Sequence, residues 1–258
     1  MYVCNLQKIG RNMKKLPIGL QSFKSVREDG FLYVDKTRLL STLAKESKYY
    51  FLSRPRRFGK SLFLSTLKAY FQGKRELFEG LAIAELEKDW VSYPVLYLDL
   101  NTGNYNSAEA LEERLGYILS EWEEEYAIVP EKTQSVATRF EVVIKQAAKT
   151  TGQKVVILVD EYDKPLLQVI DNEPLLAEYR NILKGFYSNL KTCDEHIRFA
   201  FLTGVTKFSH VSIFSDLNNL QDISLNNAYA DICGFTEEEI RQTFTPYIQK
   251  FAKQEQVD

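Results

Sequence analysis

The sequence predicts an α/β fold, a parallel sheet flanked by helices on both faces, and three observations lead to it. Apolar runs of strand composition alternate along the chain with stretches of helical periodicity. The run Tyr49-Tyr50-Phe51-Leu52 passes through the tight basic loop Ser53-Arg54-Pro55-Arg56-Arg57-Phe58 into Gly59-Lys60-Ser61. There Leu62, Phe63, Leu64, Leu67, Tyr70 and Phe71 begin to recur at the spacing of one helical face. A second run, Val155-Val156-Ile157-Leu158-Val159, has the composition of a strand buried on both faces. It ends in Asp160-Glu161, at the carboxyl end where ligands of open parallel sheets bind.

Residues 1–15 are polar and irregular and are expected to form a disordered tail. Leu16-Pro17-Ile18-Gly19 opens structured sequence, and Phe31 to Thr37 mixes aromatic and charged residues ahead of a helix at 37–47. Phe31 and Tyr33 read as buried aromatics, with stacking on a nucleotide base as the alternative. The helix after Lys60 closes at Gly73. Pro94 to Leu100 reads as a strand, and Asn106 with Glu109 resembles a capping box for a helix reaching about residue 125. Helices at 135–150 and 174–192 bracket the Asp160 strand, and Ile197 to Gly204 is a further buried strand. Leu220 to Leu225 reads as a last short strand. Thr236 and Glu239 then form a capping box for a helix through Ile240, Phe244 and Tyr247, whose apolar face needs a partner.

Composition bounds the function. Hydrophobic residues are 45% and charged residues 26% of the chain, ordinary values for a globular protein. A net charge of -2 excludes the global positive field of a nucleic-acid binder and leaves that role to a local patch. Cys4, Cys193 and Cys233 are odd in number and widely spaced, so they read as thiols of a reducing compartment, and neither His196 nor His210 has partners at metal-ligand spacing. No run approaches the roughly 20 apolar residues that cross a bilayer. With no apolar signal core at the start, a cytoplasmic protein without a membrane partner is expected.

Gly59-Lys60-Ser61 has the chemistry that closes a phosphate-cradling loop: a backbone free to approach an anion, an ammonium, and a hydroxyl for magnesium. The helix starting there adds its unsatisfied amides and positive dipole end. Arg54 stands where such loops begin with glycine, so the turn is shaped another way, with Pro55 fixing φ as one means. Asp160 is placed to hold magnesium together with Ser61, and Glu161 to orient and deprotonate water. In hydrolases that place an extra strand between the loop strand and the acid strand, the polar residue ending that strand contacts the γ-phosphate or its water; Thr203 is the candidate for that role, with Thr206 and Lys207 nearby. The plainer readings are a solvated basic loop, a helix start at Asp160-Glu161 with Asp163 as cap, and a Thr-Gly turn at Thr203. Asp99, Asp160, Glu161, Asp163 and Lys164 also form a conceivable metal-dependent nuclease set, which leaves the phosphate loop unexplained.

In order along the chain, Leu16-Pro17-Ile18-Gly19, Tyr33-Val34-Asp35-Lys36-Thr37, Arg54-Pro55-Arg56-Arg57-Phe58-Gly59-Lys60-Ser61, Val159-Asp160-Glu161-Tyr162-Asp163-Lys164-Pro165, Leu202-Thr203-Gly204-Val205 and Cys233-Gly234-Phe235-Thr236 resemble the bacterial AAA-ATPase-like family. The arginine-led loop is that family's own form. The resemblance implies a P-loop NTPase of the additional-strand class, with a core at 16–232 and the start of a helical lid at 233–258. It implies Mg²⁺-dependent ATP hydrolysis with Lys60, Glu161 and Thr203 catalytic, Arg56, Arg57, Phe58, Gly59, Lys60, Ser61 and Leu62 binding nucleotide, and Ser61 and Asp160 at the metal. A nucleotide-binding switch with little hydrolysis is the alternative, since only Arg180 and Arg198 offer themselves as an arginine finger. Absence of an Asn-Lys-x-Asp motif favours ATP over GTP. In the family the ATPase region continues into a lid and a domain resembling PD-(D/E)XK nucleases, whereas this sequence ends soon after the lid begins. The partners implied are a second copy, a nuclease-like domain, or nucleic acid reached through such a domain.

Overall fold

The computed structural model describes residues 13–131, 134–207, 213, 214, 217 and 219–255. Most of the expected tail, together with Cys4 and His210, lies outside the described residues. Lys14 and Lys15, expected in that tail, are engaged: the Lys14 carbonyl accepts from Tyr247 at 2.7 Å and the Lys15 carbonyl from the Leu32 N–H at 2.8 Å.

Five strands form one parallel sheet: β1 (Tyr49–Ser53), β2 (Val95–Asp99), β3 (Val155–Asp160), β4 (Ile197–Gly204) and β5 (Gln221–Asp222). Their order is β2-β3-β4-β1-β5, so β4 is inserted between the loop strand β1 and the acid strand β3. This is the additional-strand arrangement that the sequence predicts. Register sets Ser53 beside Gly204, Leu52 beside Thr203 and Asp99 beside Asp160, which aligns the carboxyl ends of four strands on one rim.

Helices α1 (Phe23–Glu28), α2 (Thr37–Glu46), α3 (Lys60–Phe71) and α4 (Ala82–Leu86) precede β2. Helices α5 (Ala108–Glu125) and α6 (Val136–Thr151) lead to β3, and α7 (Lys164–Gln168) and α8 (Glu173–Thr192) lead to β4. Every residue of β3 is buried because both faces are covered. Val155, Ile157 and Val159 pack into one core with α5, α6 and α8, while Val156 and Leu158 pack into the other with α2 and α3. That double cover makes the strand a continuous apolar run instead of an alternating one. Ring contacts knit the layers: Phe140 of α6 stacks on Phe186 of α8 at 4.2 Å, and Phe71 of α3 meets Phe199 of β4 at 4.8 Å.

Two local expectations need correction. The N-cap of α5 is Ser107, which accepts from the Ala110 N–H at 3.3 Å, and Asn106 lies one residue outside it. Both residue types cap well, so composition alone leaves the register open by one. The last strand has two residues, since only Gln221 and Asp222 pair with β1. The expected box at Thr236 and Glu239 is formed. Its helix, α9, runs on through Glu237–Glu239, a π-helical turn at Ile240–Phe244, and Thr245–Glu255.

Candidate active site

The loop between β1 and α3 uses left-handed backbone at two places, Arg57 with φ +66° and Gly59 with φ +89°. Position 54 is not one of them, so glycine is not required there and an arginine fits. The Arg54 guanidinium is put to use. It donates to the carbonyls of Ser53 at 3.1 Å, Ser224, and Tyr229 at 3.4 Å, fastening the loop to the segment after β5. Ser53 reinforces that link, its N–H donating to the Ser224 hydroxyl at 2.8 Å and its own hydroxyl to the Val205 carbonyl at 3.0 Å.

Lys60 opens α3 and is only 5% exposed. Its ammonium donates to the carbonyls of Arg54 at 3.1 Å and Pro55 at 3.2 Å, so it is held inside the curl of the loop. Space beside the Gly59 Cα is open, which leaves its backbone accessible to an anion. Ser61 and Leu62 follow on the first turn, half-buried, whereas Arg56, Arg57 and Phe58 are exposed.

Across the rim, Asp160 is buried at the end of β3. One carboxylate oxygen accepts from the Thr203 hydroxyl at 2.8 Å, and the other faces the Tyr97 hydroxyl at 3.4 Å. Glu161 follows with φ +53°, a left-handed turn that swings its side chain out of the strand direction. Burial raises the Glu161 carboxyl above the ordinary range, Lys60 pulls it back down, and Asp160 pushes it up again. Glu161 is thus close enough to feel both the loop ammonium and the neighbouring acid. Asp160, Glu161 and the Lys60 loop thus lie along the same carboxyl-end rim of the sheet.

Thr203, expected to face the γ-phosphate, is fully buried, and its hydroxyl is directed to Asp160. Asp163 is also fully buried and does not cap α7 through its side chain. Its carboxylate accepts from the N–H groups of Val205 at 3.0 Å and Thr206 at 2.7 Å, and from the Thr206 hydroxyl at 2.9 Å. It therefore braces the turn after β4. Asp99 accepts from the Asn101 N–H at 2.8 Å. Among the described residues no group of three or more His, Cys, Asp or Glu is placed to hold a metal ion. Lys207 is ion-paired with Asp222 at 2.8 Å. Arg198 sits at the start of β4, the opposite end of the strand from Thr203, where it donates to the Ala44 carbonyl at 3.0 Å and lies over Tyr93; it is not at the rim. Arg180 lies within α8, on the side of the sheet away from α3.

Beside the loop opens a largely apolar pocket of about 410 Å³, walled by Leu32, Tyr33, Phe58, Leu62, Cys233, Phe235 and Phe244. Tyr33 is part of this wall and also of the core, its hydroxyl 3.3 Å from that of Thr66 and its ring 5.1 Å from Phe23. Burial pushes the Cys233 thiol up to about 12, against the pull of Arg54, Lys60 and Lys36 and with a further push from Asp160. The outer wall of the pocket is pinned by Lys36, whose ammonium bonds both carboxylate oxygens of Glu239 at 2.5 and 2.6 Å. The pocket, the Lys36–Glu239 pair and the Tyr97 contact are invisible in the sequence, since each joins segments far apart along it. The one signal was Tyr33, for which stacking on a nucleotide base was the alternative reading.

A protein-family model described as a predicted AAA-ATPase matches residues 17–214. The chain is 45% identical over 235 residues to an "uncharacterized protein in vnfD 5'region" of Azotobacter chroococcum mcd 1; the match takes in 90% of this chain and 45% of that protein. The chain thus spans about half the length of the curated relative it matches. A crystal structure titled Cdc6p from Pyrobaculum aerophilum aligns with a TM-score of 0.37 at 13% identity, over 74% of this chain and 46% of that one. No helix among the described residues is long and apolar enough to cross a membrane.

Proposed function

We infer that the chain, which belongs to the predicted AAA-ATPase family, binds ATP at the β1–α3 loop and hydrolyses it to ADP and phosphate. The observation that carries this reading is the meeting of buried Lys60 with the Asp160-Glu161 rim, across the inserted strand β4. Lys60, released from the Arg54 and Pro55 carbonyls, bonds the β- and γ-phosphates, with the amides around Gly59 completing the cradle. Arg56 and Arg57 add positive charge at the loop's outer edge, and the base enters the apolar pocket between Tyr33, Phe58, Leu62 and Phe235. Ser61 and Asp160 offer the hard oxygen ligands that suit Mg²⁺. When bound, the ion neutralises charge on the phosphate oxygens. Glu161, its carboxyl raised by burial but tempered by Lys60, orients the attacking water and accepts its proton. Thr203 serves by fixing Asp160.

Two fastenings, Arg54 to the segment after β5 and Lys36 to Glu239, support a further step in which loop occupancy moves the segment leading into α9 and whatever follows it. With Mg-ATP the wild type should release phosphate steadily, while Glu161→Gln should bind nucleotide and release almost none. Equal release by the two would remove Glu161 from its role and with it this reading of the rim.

A further inference from the structure

Asp160 is held from both sides by strands that neighbour its own. From β4 comes the Thr203 hydroxyl at 2.8 Å on one carboxylate oxygen, and from β2 the Tyr97 hydroxyl at 3.4 Å from the other. The second contact follows from register. Asp99 is level with Asp160 and Tyr97 with Leu158, so two-residue alternation puts Tyr97 and Asp160 on the same face of the sheet, the one covered by α3. Tyr97 is itself clamped from above, because the Lys68 ammonium lies over its ring at 5.2 Å. Lys68 is on α3, eight residues after Lys60, so one helix carries both the loop ammonium and the residue that seats Tyr97.

We propose that Tyr97 is a positioning residue that fixes the rotamer of Asp160 through its hydroxyl and thereby sets the affinity of the site for a divalent cation. This rests on the nucleotide-binding reading above. A carboxylate has two oxygens and a freely turning terminal torsion. With Thr203 alone it can rotate about one hydrogen bond; with hydroxyls on both sides it presents a single orientation. Partners behind a metal ligand are worth roughly 10–100-fold in metal affinity. Tyr97 suits this task without touching the substrate. Its ring stands half-buried on the α3-covered face of the edge strand β2, with the Lys68 ammonium over it.

The test is Tyr97→Phe, which retains the ring and removes only the oxygen. Mn²⁺ is titrated against protein saturated with ADP and followed by the loss of the free-ion resonance, and ADP affinity is measured separately with the metal chelated. The expected result is a half-saturating Mn²⁺ concentration raised about 10-fold, with metal-free ADP affinity and melting temperature close to wild type. In an Asp160→Asn background the same change should have no further effect on Mn²⁺, since the two residues act as one unit. An unchanged Mn²⁺ titration in Tyr97→Phe overturns the proposal. So does a weaker titration accompanied by an equal loss of metal-free ADP binding or a large fall in melting temperature, because that marks a packing role. Should wild-type protein bind neither ADP nor Mn²⁺, the nucleotide reading itself falls and takes this inference with it.

Discussion

Glu161 occupies a left-handed backbone position at φ +53°, with a carboxyl that burial holds above the ordinary glutamate range. Because the ionised form is the one that accepts a proton from water, the acid limb of the turnover profile should lie above pH 4.5, the ordinary value for this group. The same shift affects stability with the opposite sense. A carboxyl whose folded pKa is raised stabilises the fold fully below its unfolded value, and that contribution is lost as pH rises through the folded value. Glu161→Gln should therefore melt above the wild type at neutral pH, with the gap closing as pH falls through the raised folded value toward 4.5, as thermal melts at a series of pH values will show. Gly204 is a second exacting residue. A Cβ there would stand 2.4 Å from Tyr162 Cε1 and 2.9 Å from a carboxylate oxygen of Asp163, so Gly204→Ala should cost about 1–3 kcal/mol in denaturant unfolding. At this scale the sequence was informative where chemistry is local: Lys60, Asp160 and Glu161 stand at the ends of recognisable runs. It was silent where a hydroxyl or carboxylate turns toward a residue more than forty positions away, as with Thr203 to Asp160 and Asp163 to Thr206.

Among the elements, the start of α9 is the most dependent on a distant partner. Glu239 completes the capping box with Thr236, accepting its N–H at 2.8 Å, and also receives Lys36 from the segment before α2. Burial alone would raise the Glu239 carboxyl, but Lys36 and the Thr236 N–H outweigh it and hold the group below the ordinary range. Stability from this pair is present above the unfolded pKa and lost as pH falls through the folded one. Lys36→Ala should accordingly cost about 1 kcal/mol near neutrality, since the pair's outer edge meets solvent. It should cost little in acid, and amide exchange at Glu237–Glu239 should speed up with it. The capping box was legible because its residues are three apart; the partner was not, being 203 positions away. Strands β1, β3 and β4 were likewise legible from composition, whereas the N-cap of α5 and the two-residue length of β5 depend on choices between equally suitable neighbours.

For the molecule as a whole, strand order is what turns separate motifs into a site. Placing β4 between β1 and β3 sets the Lys60 loop and the Asp160-Glu161 strand end one strand apart on a common rim, and the apolar pocket opens beside the loop against the segments around Tyr33 and Phe235. The buried run at Ile197 to Gly204 marked β4 as a strand, and its insertion was implied by the family resemblance alone; the pocket was not anticipated, because its walls come from both ends of the described chain. The central claim is that this site holds a nucleotide through Lys60. It is tested most directly by thermal unfolding of the wild type and Lys60→Ala with Mg-ATP, Mg-GTP and no nucleotide. A ligand at about 100 times its Kd adds roughly 2.7 kcal/mol, which for a domain of this size raises the melting temperature on the order of 5–10 °C. The expected result is a shift of that order for wild type with Mg-ATP, a smaller one with Mg-GTP, and almost none for Lys60→Ala. A wild type whose melting temperature moves with neither Mg-ATP nor Mg-GTP, or a Lys60→Ala variant that shifts as much as the wild type, would contradict it.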